Sequence, residues 1–171
     1  NSDKLDAFST ESEYDCSYHI FLGTDKNSGL RSRFDSAHEL GHLIMHNHLP
    51  RTVFLGKNHS FFERQANRFA SAFLMPSKTF KEDVWMTSIE ALRSIRSRWN
   101  VSIGAMIARC EHLGLFGEQD TGRIWNKYRK NWQNIENDTF EFETPQLLKR
   151  SLDLLISANL RSKGQILQDL P

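Results

Sequence analysis

Residues 36–46 have a pattern that is hard to reconcile with any secondary structure other than an α-helix. Apolar side chains recur there at intervals of three and four residues, at Ala37, Leu40, Leu43 and Ile44. That interval is the helical period, and it predicts a helix with one buried face. His38 and His42 are four residues apart in the same segment, so both imidazoles lie on one side of the helix. Two imidazoles within a buried helix cost free energy unless another group satisfies them, so the fold must supply such a group.

The rest of the pattern predicts an α+β fold in which a small sheet packs on this helix. Residues 18–23 are β-branched and aromatic and precede a cluster of turn formers, which indicates a strand. A second amphipathic helix is predicted for residues 61–74, ending at Pro76. Helical patterns also fill the C-terminal half, at residues 88–98, 101–113, 121–132 and 145–160 and around Gln165.

Two acidic segments are expected to lie at the surface. Residues 1–15 carry five acids and one lysine, and we expect a solvated lead-in without chemistry, with a short helical turn at most. Residues 136–143 contain four acids and no base, which predicts a loop or a short edge strand.

Composition and charge exclude several classes of protein. The chain has 171 residues, a mass of 19.9 kDa and 39% hydrophobic residues, so we expect one water-soluble domain. Its 22 basic and 21 acidic residues leave a net charge of +1, which gives no overall attraction to nucleic acid or anionic membrane. No apolar run reaches the ~18 residues of a membrane span, and residues 1–6 lack a secretory pattern. Cys16 and Cys110 are expected to be unpaired thiols in a reducing cytoplasm. The chain begins with Asn1 and not with a methionine, which leaves open whether a further domain precedes it.

Residues 38–42 read His-Glu-Leu-Gly-His, a spacing that suits a catalytic metal site. Zinc prefers nitrogen donors in a tetrahedral shell, and a catalytic zinc keeps one position open for water, so His38 and His42 need one further protein ligand. Glu39 is then beside the open position, where it can take a proton from the bound water and pass it to a leaving amine. The pattern predicts metal-assisted hydrolysis of an amide bond. A plainer interpretation stays open, in which Ser36 and Glu39 form a capping box at a helix start.

Two residues compete for the third ligand position. His48 is ten residues after the first histidine, the separation of an extended motif in which a glycine turns the chain back to the metal, but Met45 occupies the glycine position. Glu63 is 21 residues after the second histidine, on the second predicted helix, where small alanines allow close helix packing. We expect Glu63 to be the ligand. Ser60 and Glu63 also fit a capping box, and that alternative stays open.

Three further residues are candidates for supporting roles. Asn67, one turn beyond Glu63, can orient that carboxylate. His46 continues the histidine spacing by one more turn, and we expect it to lie behind the ligands or to be structural. His59, before the second helix, can stabilise a developing oxyanion, although an ordinary exposed loop histidine fits the sequence as well.

Three blocks of sequence, in this order, resemble the ImmA/IrrE metallopeptidases of bacteria and their mobile elements. The blocks are residues 33–46, 63–70 and 74–76. The resemblance implies a zincin-like metallopeptidase core in residues 1–85. It also implies a helical C-terminal part in residues 86–171, packed on the core as one continuous globular unit.

The same resemblance implies a function and a partner. It assigns His38, His42 and Glu63 as ligands of Zn²⁺ and Glu39 as the general base. Members of the family typically cleave a helix-turn-helix transcriptional repressor, which relieves repression. The implied partner is therefore a cytoplasmic DNA-binding protein, with no membrane involved. A strand near the site, here residues 18–23, would pair with an extended substrate.

Two other classes of function stay open. Residues 93–113 suggest two short helices across a tight turn, superficially like a helix-turn-helix reader of DNA. Residues 125–132 interleave bases with aromatics, a composition that can bind nucleic acid, although solvated helix faces whose aromatics cover the core explain it as well. The third class is a zinc-sensing domain without hydrolysis; an open coordination position argues against it, because structural zinc sites usually have four protein ligands.

Overall fold

A computed structural model of the chain describes residues 7–12, 14, 17–23, 29–54, 56–131, 143–144 and 146–169. Within these residues the fold is α+β, as predicted, with a two-stranded antiparallel sheet and nine helices. The strands are β1 (Ala7–Glu11) and β2 (Tyr18–Leu22). The helices, in chain order, are α1 (Gly29–His46), α2 (Arg51–Phe54), α3 (His59–Leu74), α4 (Ser77–Asp83), α5 (Ile89–Trp99), α6 (Ile103–His112), α7 (Glu118–Asn131), α8 (Leu147–Ser157) and α9 (Lys163–Asp169).

Strand β1 corrects the expectation for residues 1–15, because part of the supposed lead-in belongs to the sheet. It pairs with β2 in the register that places Phe8 opposite Phe21, and these two rings stack with centroids 4.7 Å apart. β1 also contacts α1. The acidic composition hid this strand, because pairing with β2 and packing on α1 stabilise it more than its own hydrophobicity does.

Helices α1 and α3 pack against each other and form the scaffold of the candidate site. α1 begins at Gly29, ahead of the predicted start at residue 36. Ala66 and Ala70 of α3 are completely buried, which allows the expected close approach. On α1, Gly41 leaves no room for a side chain, because a Cβ there would lie 2.9 Å from Cδ1 and 3.2 Å from Cγ of Phe69. This packing brings the polar residues of α1 opposite those of α3.

The main hydrophobic core lies next to this helix pair and is built from the end of α3 and from α4, α5 and α6. Its fully buried members are Met75, Phe80, Ile89, Leu92, Val101, Ile103, Met106, Ile107 and Cys110. Trp125 and Tyr128 of α7 pack against it, as the plainer interpretation of that segment predicts. Arg109 donates from Nε to the Met75 carbonyl at 2.9 Å, which ties α6 to the end of α3. The core draws residues from both sides of residue 85, and the predicted division there stays a prediction.

Several predicted features lie outside the described residues: residues 1–6, Cys16, the turn formers 24–28, Trp132 and most of the acidic segment 136–143. Glu143, at the end of that segment, accepts a hydrogen bond from Arg33 Nη1 at 2.8 Å. Cys110 is an unpaired thiol, and burial raises its pKa to about 12. In the described part of the chain, no helix combines the length and apolar character needed to cross a membrane.

Candidate metal centre

Helices α1 and α3 bring three potential metal ligands together. His38 and His42 are one turn apart on α1, and their Nε2 atoms are 2.9 Å apart. Glu63 on α3 faces both rings, with carboxylate oxygens 3.3 Å from His38 Nε2 and 3.2 Å from His42 Nε2. The ligand atoms all lie within 4.8 Å of one another. The structure therefore gathers the three residues that the sequence predicts as ligands, and we call them the metal-ligand cluster.

Hydrogen bonds behind the two histidines determine which ring nitrogens face the cluster. Asn67 Oδ1, which can only accept, is 3.0 Å from His38 Nδ1, so that nitrogen carries the proton. His46 Nε2 donates to Gln65 Oε1 across 3.0 Å. With the proton of His46 on Nε2, its other ring nitrogen, Nδ1, accepts from His42 Nδ1, also at 3.0 Å. In both candidate ligands the unprotonated Nε2 therefore points into the cluster.

The donor set fits a metal ion. When both Nε2 atoms are unprotonated, two nitrogen lone pairs and a carboxylate converge, and a cation among them offsets the repulsion between these acceptors. Two imidazoles and one glutamate are also the donors of a catalytic zinc site with three protein ligands. Burial, and then the neighbouring His38 ring, lower the pKa of His42 from 6.5 to about 4. The His42 ring is therefore neutral, and able to act as a ligand, at neutral pH.

Glu39 lines a cleft beside the cluster. The cleft has a volume of about 310 Å³ and is bordered by β1, α1 and α3, with His38, Glu39 and Glu63 in its wall. Ser9 of β1 donates its hydroxyl hydrogen to Glu39 Oε2 at 2.7 Å, which orients the carboxylate. The strand that borders the cleft is thus β1, not the strand predicted at residues 18–23. Glu39 is placed to exchange a proton with a molecule held in the cleft.

The capping-box alternatives do not describe either glutamate. Ser36 is in the middle of α1, and its hydroxyl donates to the Ser32 carbonyl at 2.7 Å, so Glu39 is far from a helix start. α3 begins at His59 with Asn58 as its N-cap, which places Ser60 inside the helix. Both carboxylates are therefore available for other roles.

The other predicted site residues have varied positions. His48 is exposed in the turn after α1 and does not belong to the cluster found among the described residues. His59 is exposed at the start of α3, with Nδ1 3.8 Å from Glu63 Oε1, and its oxyanion role stays a prediction. Asn67 was expected to orient Glu63, but its carbonyl oxygen contacts His38 instead. His46 is buried behind His42, and its supporting role stays a prediction.

Sequence reasoning missed three residues that shape the site. Ser9 contacts Glu39 from a strand that was not predicted. Gln65 accepts from His46, and nothing in its spacing distinguishes it from an ordinary helix residue. Gly41 lies inside the His-Glu-x-x-His motif, and a glycine within a helix is the one signal here that could have indicated a close helix contact.

Comparison with known proteins gives one family. The family model Peptidase_M78, described as an IrrE N-terminal-like domain, matches residues 1–111. That range contains both strands, the metal-ligand cluster, Glu39 and nearly all of α6. No curated protein gives a match. The family match supports a function of the metallopeptidase type, and it agrees with the resemblance carried by residues 33–46, 63–70 and 74–76. The chain therefore belongs to the Peptidase_M78 family, in the ImmA/IrrE group.

Proposed function

We propose that the chain is a zinc-dependent endopeptidase of the His-Glu-x-x-His type, which cleaves a peptide bond in a cytoplasmic transcriptional repressor. One observation carries the proposal: three acceptor groups that suit zinc converge beside a cleft that also holds the Glu39 carboxylate. Family membership supports hydrolysis of peptide bonds as the type of reaction.

The residues of the cleft divide the chemistry among them. His38, His42 and Glu63 hold Zn²⁺, which when bound supplies a Lewis acid. Glu39 takes a proton from the attacking water as its oxygen bonds to the substrate carbonyl carbon, and delivers that proton to the amine nitrogen as the carbon–nitrogen bond breaks. Ser9 keeps the Glu39 carboxylate turned into the cleft.

The proposed substrate is a helix-turn-helix repressor, whose cleavage relieves repression. Support for this substrate comes from the ImmA/IrrE resemblance. The position of β1 also supports a polypeptide ligand, because the strand borders the cleft through Ala7 and an extended peptide can lie along it.

Zinc content and cleavage of purified helix-turn-helix repressors test the proposal. After equilibration with zinc and dialysis, we expect about one zinc per chain by elemental analysis. Glu39→Gln should keep the zinc and lower the cleavage rate by roughly a hundredfold to ten-thousandfold, because it removes the proton acceptor. Glu63→Gln should lower zinc retention itself. Glu82→Gln makes the same chemical change on the exposed surface of α4 and should alter neither.

The proposal is wrong in its mechanism if Glu39→Gln cleaves as fast as the unaltered chain. It is wrong in its metal centre if Glu63→Gln and Glu82→Gln retain zinc equally well.

A further inference from the structure

A second cavity adjoins the cleft of the candidate metal centre. It has a volume of about 660 Å³ and lies between α1, α3 and α6, which is within the ~300–1,000 Å³ typical of ligand pockets. Phe34 and Asn67 line both this cavity and the cleft that holds Glu39. A peptide bound in the cleft can therefore place a neighbouring side chain in the second cavity.

The charged lining of this cavity is cationic. Arg64 and Arg68 are one turn apart on α3, His112 faces them from α6, and no aspartate or glutamate among the described residues lines the cavity. In the part of the chain that the structure describes, neither guanidinium pairs with a carboxylate. Burial, and then the Arg68 guanidinium, lower the pKa of His112, and the same two causes lower the pKa of Arg109. The positive charge of Arg68 thus acts on both neighbours, and Glu111 opposes it only at His112.

A buried hydroxyl group, that of Ser71, lies in the same wall. Ser71 is 2% exposed, and its Oγ makes no hydrogen bond among the described residues. Buried polar side-chain atoms in native proteins nearly always have a partner, so an unpaired one needs an explanation. Ser71 follows Arg68 by three residues on α3 and lines the cavity, so a ligand with an acceptor oxygen would satisfy it.

We propose that this cavity binds an acidic side chain of the peptide substrate, which gives the enzyme a preference for aspartate or glutamate close to the scissile bond. This inference rests on the proposed peptidase function and names its substrate class. A carboxylate can accept from the Arg64 and Arg68 guanidiniums and from the Ser71 hydroxyl, and charge-assisted hydrogen bonds of this kind are the stronger ones in proteins.

Binding of two matched peptides tests the proposal without turnover. The probes are capped Ala-Glu-Ala-Glu-Ala and Ala-Gln-Ala-Gln-Ala, titrated calorimetrically into the zinc-loaded Glu39→Gln chain. We expect the glutamate peptide to bind roughly tenfold more tightly than the glutamine peptide. In the added background of Arg64→Gln and Arg68→Gln, most of this difference should disappear. Both arginines are exposed, so the core stays intact, and zinc content checks that the metal-ligand cluster does too.

Two further variants separate the cavity from general charge. Lys149→Gln with Arg150→Gln removes the same two positive charges from exposed α8, outside the cavity, and should leave the tenfold preference unchanged. Ser71→Ala removes only the unpaired hydroxyl and should reduce the preference by a few-fold. Ser71→Ala also distinguishes cavity binding from a carboxylate that simply binds the zinc, since a zinc-bound carboxylate would be insensitive to the loss of this hydroxyl.

Three outcomes overturn the proposal: the preference survives in the Arg64 and Arg68 variant, it is lost equally in the α8 variant, or inorganic phosphate binds through the two arginines while neither peptide does. The last outcome would assign the cavity to a small free anion. Failure of the proposed function looks different, because arginine-dependent binding of the glutamate peptide would persist while the active chain cleaves no repressor. Cleavage without any preference for aspartate or glutamate would refute the cavity proposal and would leave the proposed peptidase function supported.

Discussion

Replacing His46 with phenylalanine tests whether the hydrogen bonds behind His42 control its affinity for zinc. The ring of His46 packs among aromatic side chains, with its centroid 5.0 Å from that of Phe62 and 6.1 Å from that of Phe54. Phenylalanine keeps a ring in this space and removes both nitrogens. The His42 Nδ1–H group, in a residue only 8% exposed, then has no acceptor when Nε2 binds metal.

The size of the effect follows from that unpaired donor. Leaving a buried donor without an acceptor costs ~1–3 kcal/mol, so the zinc dissociation constant should rise between about fivefold and about 150-fold. Without metal, His42 can carry its proton on Nε2 instead and donate to the Glu63 carboxylate 3.2 Å away. The loss should therefore appear in zinc affinity and leave the free energy of unfolding of the metal-free chain nearly unchanged.

Competition with a chromophoric chelator at neutral pH measures the zinc affinity, and urea unfolding measures the stability. His48→Phe is the matched control, because it makes the same change two residues along at an exposed position outside the cluster. Gln65→Glu keeps an acceptor for His46 and should preserve the affinity, whereas Gln65→Leu should weaken it. The reasoning is refuted if His46→Phe binds zinc within twofold of the unaltered chain, or if His48→Phe loses as much.

Two other predictions concern stability. Gly41→Ala should lower the free energy of unfolding by about 1 kcal/mol, because crowding against Phe69 outweighs the gain in helix propensity. Gly122→Ala on α7 should raise it by about the same amount, because no atom of the described residues, apart from the neighbouring helix backbone, lies within 4 Å of the new Cβ. Urea unfolding measures the free energy of unfolding of both variants. Equal changes of the same sign in the two variants would rule out crowding against Phe69 as the explanation. The metal-free chain should also lose stability as the pH falls from 6.5 towards 4, by up to ~3 kcal/mol, because the unfolded state protonates His42 at its ordinary pKa of 6.5 while the folded state resists protonation down to about 4. The contribution of neutral His42 to the free energy of unfolding is fully present above pH 6.5. His42→Gln should flatten the pH dependence of this free energy, whereas His48→Gln should not.

Spacing along single helices is the part of the candidate site that sequence predicts best. His38, Glu39 and His42 follow from the period of α1, and Glu63 follows from its place on the next amphipathic helix together with the small alanines that face α1. These signals are local, because a helix fixes which side chains share a face. The predicted helices of the C-terminal half agree with the observed ones for the same reason.

Contacts between distant segments are the part that sequence could not supply. β1 depends on pairing with β2 and on packing against α1, so its own residues carry only a weak strand signal. The tautomer of His42 depends on a hydrogen bond from His46 to Gln65, a contact between two helices. The second cavity, lined by Arg64 and Arg68, combines residues of α3 and α6 that are more than thirty positions apart in the sequence. No spacing rule relates Arg68 to His112.

The two cavities draw their walls from different stretches of the chain. All three candidate ligands belong to the α1–α3 pair, whereas α6 contributes Ala105, Ala108 and His112 to the cationic cavity and nothing to the metal-ligand cluster. Changes at those three positions can therefore reshape the second cavity while the reacting groups stay where they are. In a library of variants, or among diverging copies of such a gene, substitutions in α6 can therefore change the preferred substrate while the metal-ligand cluster and Glu39 are kept.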